Sequence, residues 1–171
     1  MSANPAGSGS RWIPAEEYEQ ILARVPIVCV DVLLVSAEQP DNVGLIYRDT
    51  YDGGHGWCLV GGALLRDEPF IEGVRRHVQA TLGSDVRLEE SSIRFHAVFE
   101  YFTKPGPGRL YDPRKNAVAL TYSATAAGVV EPQDEALDFS WFGVGDLDSV
   151  AFGFGQGRVV EEVVRELRRC G

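Results

Sequence analysis

Apolar residues recur along this chain in two rhythms. In "WIPAEEYEQILARV", Tyr18, Ile21, Leu22 and Val25 fall on one helical stripe. Pro14 stands at a plausible first helical position, and Glu16 and Glu17 occupy the first turn, where the helix dipole favours acids. "PIVCVDVLLVS" then runs apolar and β-branched with no polar alternation, the pattern of a strand buried on both faces. Asp31 interrupts that run. A carboxylate there needs a partner, because burying it unpaired is costly.

"NVGLIYRD" reads as a second strand and "GWCLVGG" as a third, joined by the loop "TYDGGHG". The helical rhythm returns over 69–82, from Pro69 to a stop at Gly83. "IRFHAVFEYFT" alternates as a strand does, and "KPGPGRLYDPRK" is a basic, Pro/Gly-rich hairpin loop. "NAVALTYSATA" and "DFSWFGV" are further strands. "GRVVEEVVRELRR" closes the chain as a helix with Val159, Val160, Val163, Val164 and Leu167 on one face. The order is helix, three strands, helix, several strands, helix. It predicts an α/β (α+β) domain, a mixed sheet packed with helices. No repeat or linker divides it, so residues 12–171 read as a single domain behind a disordered lead at 1–11.

Composition narrows the function classes. With 44% hydrophobic and 24% charged residues, 171 residues suffice for a soluble globular core. A net charge of -9 argues against non-specific binding to nucleic acid or anionic lipid. The opening "MSANPAGSGS" lacks the apolar core and basic start of a signal peptide or a membrane span. Cys29, Cys58 and Cys170 are odd in number and far apart, which points to free thiols in a reducing compartment, and no paired Cys or His spacing supports structural zinc. A cytoplasmic protein is expected, with a homodimer left open.

The segment "VGGALLRDEPFIEGVRRHVQATLGS" carries the chemistry. Glu68 follows Gly62 after five residues, Arg76 follows Glu68 after seven, and Gly83 lies seven beyond Arg76. These intervals resemble the Nudix box, G-x5-E-x7-R-E-U-x-E-E-x-G-U. The stretches at 12–35 and 57–62, with "PQDEALDFSWF", are similar to the GDP-mannose mannosyl hydrolase branch of that superfamily. The resemblance implies a Nudix-like mixed β-sheet sandwiched between helices and a small phosphorylated ligand, a nucleoside-diphosphate sugar foremost. It also implies magnesium, held against a diphosphate by glutamates on one helix face with the Gly62 carbonyl. Here those helix positions are His77, Ala80 and Thr81. Imidazole, methyl and hydroxyl groups are poor magnesium ligands, so standard pyrophosphate cleavage is expected to be impaired. The branch's general-base histidine falls at Ala136 and its neighbouring metal ligand at Glu135.

The resemblance places Asp31 and Arg48 against the nucleotide sugar. Arg76 stands at the box arginine with His77 in the place of its usual acidic partner, and is expected to turn to Glu68, Glu72 or a ligand phosphate. His77 and Glu135 are the candidate acid–base groups if chemistry persists, and Gly62 with Glu135 is the residual magnesium site. Tyr101 is a candidate for stacking on the ligand, and Lys104, Arg109, Arg114 and Lys115 form a basic loop able to cover a phosphate. Asp31, Arg48, Arg76 and Tyr101 are therefore the expected substrate contacts. "FGFGQG" near Phe152 lacks the strand–turn–helix context of a dinucleotide fingerprint. Three functions stay open: a hydrolase, a ligand-binding or sensor module, and a repurposed enzyme of a specialised pathway.

Overall fold

The computed structural model describes residues 13–170; the expected lead at 1–11 and Trp12 lie outside them. Its helices are α1 (Ala15–Leu22), α2 (Phe70–Leu82) and α3 (Gly157–Cys170). Its strands are β1 (Ile27–Ser36), β2 (Asn42–Asp49), β3 (His55–Cys58), β4 (Val60–Ala63), β5 (Arg87–Leu88), β6 (Arg94–Phe102), β7 (Leu110–Tyr111), β8 (Ala117–Ala127) and β9 (Asp138–Gly143). They form one nine-stranded mixed sheet whose main path runs β3-β2-β1-β8-β6-β7, with β4 on β1, β9 on β2 and β5 on β8.

β1 and β8 run parallel at the centre, Ile27 opposite Ala117 through Ser36 opposite Ala126. Residues on β1 therefore alternate between two buried faces. Val30 faces α2, where the Val30 Cγ2 lies close to Gly73. On β8, Ser123 points the opposite way, toward α3 through His96 and Glu166. Val74, Val78 and Leu82 bury one side of α2, and Val159, Val160, Val163 and Val164 bury one side of α3. The α3 face is the stripe that the spacing predicts, and each side chain removed from water stabilises the fold by about 1.5–3 kcal/mol. Mixed sheet and flanking helices are the architecture expected from the pattern.

Two local expectations change. "GWCLVGG" is two strands rather than one, broken at Leu59: β3 pairs with β2, and β4 crosses to β1. The Leu59 N–H leaves the strand ladders and donates to Gln156 Oε1 at 2.8 Å, so a side chain satisfies the corner. The basic loop also contains β7, which pairs parallel with Tyr101 and Phe102 at the end of β6. α2 begins just after Pro69 and ends at Gly83, whose φ of 92° is a conformation that glycine tolerates. Gln133 and Glu131 N–H groups then cap the Thr81 and Leu82 carbonyls at 2.9 Å each. That docking carries residues 131–136 back across the sheet and sets Glu135 beside β2.

Candidate functional site

A pocket opens on the α3 face, at the first half of β1 and the start of β8. Asp31, Arg48, Tyr101, Arg114, Lys115 and Phe154 line it, with Gly61 and Gly62 at its edge. Asp31 is 8% exposed, and no hydrogen-bond donor among the described residues reaches its carboxylate. Room for it comes from Gly61, where a Cβ would lie 2.3 Å from Asp31 Oδ1. Burial pushes the Asp31 carboxyl up to about 6, with Lys115 pulling it down, Glu135 raising it and Arg48 pulling it down. The partner that the sequence demanded is thus a set of charges at a distance, not a hydrogen bond.

The cations are built in differently. Arg48 Nη1 binds Glu135 Oε2 at 2.6 Å, while the buried Arg48 Nε has no partner. Burial raises the Glu135 carboxyl above its ordinary value, and Arg48 opposes that shift. Arg114 forks onto Asp112 through Nε and Nη2, both at 2.9 Å. Burial pushes Asp112 up, yet the Arg114 hydrogen bonds and charge bring it below the ordinary carboxylate value. The Phe154 ring packs against both guanidinium groups, its centre 5.5 Å from Arg48 Cζ and 4.7 Å from Arg114 Cζ. Phe154 adopts a φ of 54°, unusual for a bulky side chain, and the segment is pinned by Gly153 N–H donating to the Trp57 carbonyl. Lys115 Nζ donates toward Cys29 Sγ at 3.7 Å. The Tyr101 hydroxyl accepts from Gln156 Nε2 at 3.1 Å, and burial holds it well above the usual phenol range.

On the α2 side the polar groups are closed on one another. Glu68 takes Arg76 Nε at 2.6 Å and Nη2 at 2.8 Å, and the Arg76 hydrogen bond holds its carboxyl at about 2. Arg76 Nη2 also donates to the Ala63 carbonyl at 2.9 Å. His77 Nε2 lies 3.1 Å from that same carbonyl. Burial first, then the Arg76 charge, pushes the His77 imidazole below its ordinary value, so the ring is neutral near pH 7. The ring packs under Gly62: a Cβ there would lie 2.6 Å from His77 Cε1.

Asp31, Arg48, Tyr101 and Gly62 therefore share one pocket, and Glu135 joins it through Arg48. Arg76 and His77 do not line it; they gather around the Ala63 carbonyl. Ala80 is exposed and Thr81 is buried. This donor set suits magnesium poorly. The α2 positions bring no carboxylate, Glu68 is committed to Arg76, and Glu135 to Arg48. Among the described residues no three His, Cys, Asp or Glu side chains gather as a metal site. Phe154, Gln156 and Asp112 are pocket residues that sequence reasoning missed. The glycine-rich "FGFGQG" run was the signal for the first two; it bridges to β3 at Phe152 and leads directly into the start of α3.

The family described as a domain of unknown function, DUF4916, matches residues 8–165. Over 99 residues the chain is 29% identical to the low-salt glycan biosynthesis protein Agl8 of Haloferax volcanii. That stretch is 58% of this chain and spans only 59% of the relative's length. Among solved structures, a possible asymmetric diadenosine tetraphosphate hydrolase from Jonesia denitrificans is 28% identical, with a TM-score of 0.73 over 83% of this chain and 94% of that one. The NUDIX domain of Shewanella oneidensis NrtR, solved with ADP ribose, is 18% identical, with a TM-score of 0.65 over 86% and 97%. The fold is the Nudix fold. No helix among the described residues is long and apolar enough to cross a membrane.

Proposed function

The chain belongs to the DUF4916 family, and from that premise we propose that it binds a nucleoside-diphosphate sugar or a related phosphorylated small molecule through its own cations, with magnesium-dependent pyrophosphate cleavage impaired. One observation carries this reading: Arg48, Arg114 and Lys115 converge on a single pocket. The unpartnered Arg48 Nε leaves that guanidinium a donor to spend on a phosphate oxygen. Guanidinium forks match phosphate geometry, and the low-dielectric wall strengthens them. Asp31, protonated below about 6, can donate a hydrogen bond to a sugar or phosphate oxygen, and Tyr101 closes the wall beside it. The box is degenerate in this reading, because the α2 side is a closed Glu68–Arg76–His77 network rather than an open metal cradle. Likeness to the GDP-mannose mannosyl hydrolase branch and to a glycan biosynthesis protein favours a nucleotide sugar over a free nucleotide.

A second reading, residual hydrolysis, rests on Glu135. It sits beside the pocket with a raised carboxyl, which suits a group that accepts a proton from water. His77 is the weaker acid–base candidate, since it must first release the Ala63 carbonyl. Isothermal titration with ADP-ribose and GDP-mannose, in EDTA and in magnesium, tests both readings. Binding in EDTA without turnover supports the first. Turnover that persists in EDTA and falls in Glu135→Gln supports the second. Turnover that requires magnesium overturns both.

A further inference from the structure

α3 covers the sheet face that carries Asp31, and its two ends meet different chemistry. Phe154 and Gln156, just before its first turn, wall the pocket described above. Leu167, in its last turns, walls a separate groove together with Val35, Ile93, Arg94, Ser123 and Thr125. Ser123 of that groove begins a chain of three side chains, continued behind it by His96 and Glu166, that the pocket does not use.

His96 Nδ1 is 2.8 Å from Glu166 Oε2, and His96 Nε2 is 2.8 Å from Ser123 Oγ. An ionised carboxylate only accepts hydrogen bonds. In the tautomer that carries its proton on Nδ1, His96 donates to Glu166 and its Nε2 accepts from the Ser123 hydroxyl. The backbone arranges this deliberately: the β6–β8 register slips between Phe95 and Ala97, so His96 is the extra residue of a bulge. Bulges re-aim side chains and gather next to active sites. Here the bulge sends His96 to the α3 face, onto Ser123 of the central strand. The His96 side chain is 2% exposed, Ser123 is 2% exposed, and the Glu166 side chain is 41% exposed. A nucleophile on a base, and the base oriented by an acid, is the arrangement that activates a hydroxyl.

We infer that Ser123, His96 and Glu166 form a second reactive site, which accepts a small carboxylic ester in the groove under the end of α3. Val35, Ile93 and Leu167 offer an apolar wall to the acyl chain, and Arg94 a positive charge to an anionic end. Ser123 Oγ attacks the ester carbonyl carbon as its proton passes to His96 Nε2. The carbon–oxygen bond to the leaving alcohol breaks, and His96 returns the proton to that oxygen. Water then attacks the acyl-serine by the same route, releasing the acid and restoring Ser123. Glu166 remains a carboxylate throughout and acts as a positioning residue. This site is independent of the phosphate pocket and stands or falls without it.

The test is covalent labelling of the full chain with diisopropyl fluorophosphate, read by intact mass and by peptide mapping. Ser123 Oγ displaces fluoride from phosphorus, and His96 takes the proton. The expected result is one adduct on Ser123, absent in Ser123→Ala. Labelling should be about a hundredfold slower in His96→Gln and about tenfold slower in Glu166→Gln. Hydrolysis of p-nitrophenyl butyrate should fall in the same order. Thermal melting checks each variant, and Glu166→Gln, at a partly exposed helix position, is the least disruptive. A wild-type chain with no adduct on Ser123 overturns the inference, as does Ser123 labelling at an unchanged rate in both the His96 and Glu166 variants.

Discussion

Two polar regions flank the Gly61–Gly62 pair of β4, and they are built on opposite principles. On the α2 side, Glu68, Arg76 and His77 are bonded to one another and to the Ala63 carbonyl. On the α3 side, Arg48, Arg114 and Lys115 line a pocket beside a buried carboxylate that no hydrogen-bond donor among the described residues reaches. Closed networks give rigidity; unsatisfied buried groups give chemistry or binding. The difference teaches where to look: the cations proposed to hold a phosphate line the pocket wall on the α3 side, not the helix of the box.

The largest effect on this contrast should come from Arg48→Ala. It removes a pocket cation and leaves Glu135 without its partner, so affinity for a nucleotide sugar should fall by about a hundredfold and stability by about 2 kcal/mol. Calorimetry and chemical denaturation read the two losses separately. Wild-type affinity in this variant would move the ligand out of the pocket.

Next, Gly62→Ala attacks the closed side. The new Cβ meets the His77 ring, and a cost of about 1–3 kcal/mol is expected. Combining it with His77→Ala should restore much of that loss, a non-additivity that a double-mutant cycle measures. Full additivity would mean that the ring does not pack under Gly62.

Two pH profiles sharpen the comparison further. Asp31 has a folded value near 6, above the ordinary carboxylate value of about 3.9. Its favourable contribution is therefore complete below the unfolded value and is lost as pH rises through about 6. Thermal melting of the wild type relative to Asp31→Asn should decline over that window, and anion binding should weaken with it. Glu68 works in the opposite sense. Its folded value of about 2 lies below the unfolded one, so its stabilisation holds above the unfolded value and disappears as pH falls toward 2. Glu68→Gln should flatten that acid loss in a melting series. A Glu68→Gln chain as acid-sensitive as the wild type would contradict the Arg76 pairing.

The smallest effect is expected of Tyr101→Phe. It removes only the acceptor for Gln156 Nε2 and should cost about 1 kcal/mol or less, with ligand affinity changed only a few-fold.

Much of the scaffold was legible in the residues. Val159, Val160, Val163 and Val164 announced the α3 core face, and the β-branched apolar run that Asp31 interrupts announced a central strand buried on both sides. The break at Leu59 was not legible, because no glycine or proline marks it; a glutamine from 97 positions away holds it. Asp31, Arg48 and Tyr101 were named from the sequence and line one pocket, whereas Phe154 was passed over. Its contact with two arginines depends on residues 48, 114 and 154 meeting in space, which no local spacing records. The Ser123–His96–Glu166 chain was hidden for the same reason, since it depends on a bulge that the alternation of β6 does not betray.

The central claim is that protein cations, and not a magnesium ion, hold the phosphates. Phosphorus NMR of GDP-mannose mixed with the chain tests it directly, because one spectrum reads both binding and cleavage. The account predicts diphosphate resonances shifted equally in EDTA and in excess magnesium, unshifted with Arg48→Ala, and intact over hours. Resonances that move only after magnesium is added, or that are replaced by cleavage products when it is, would contradict it.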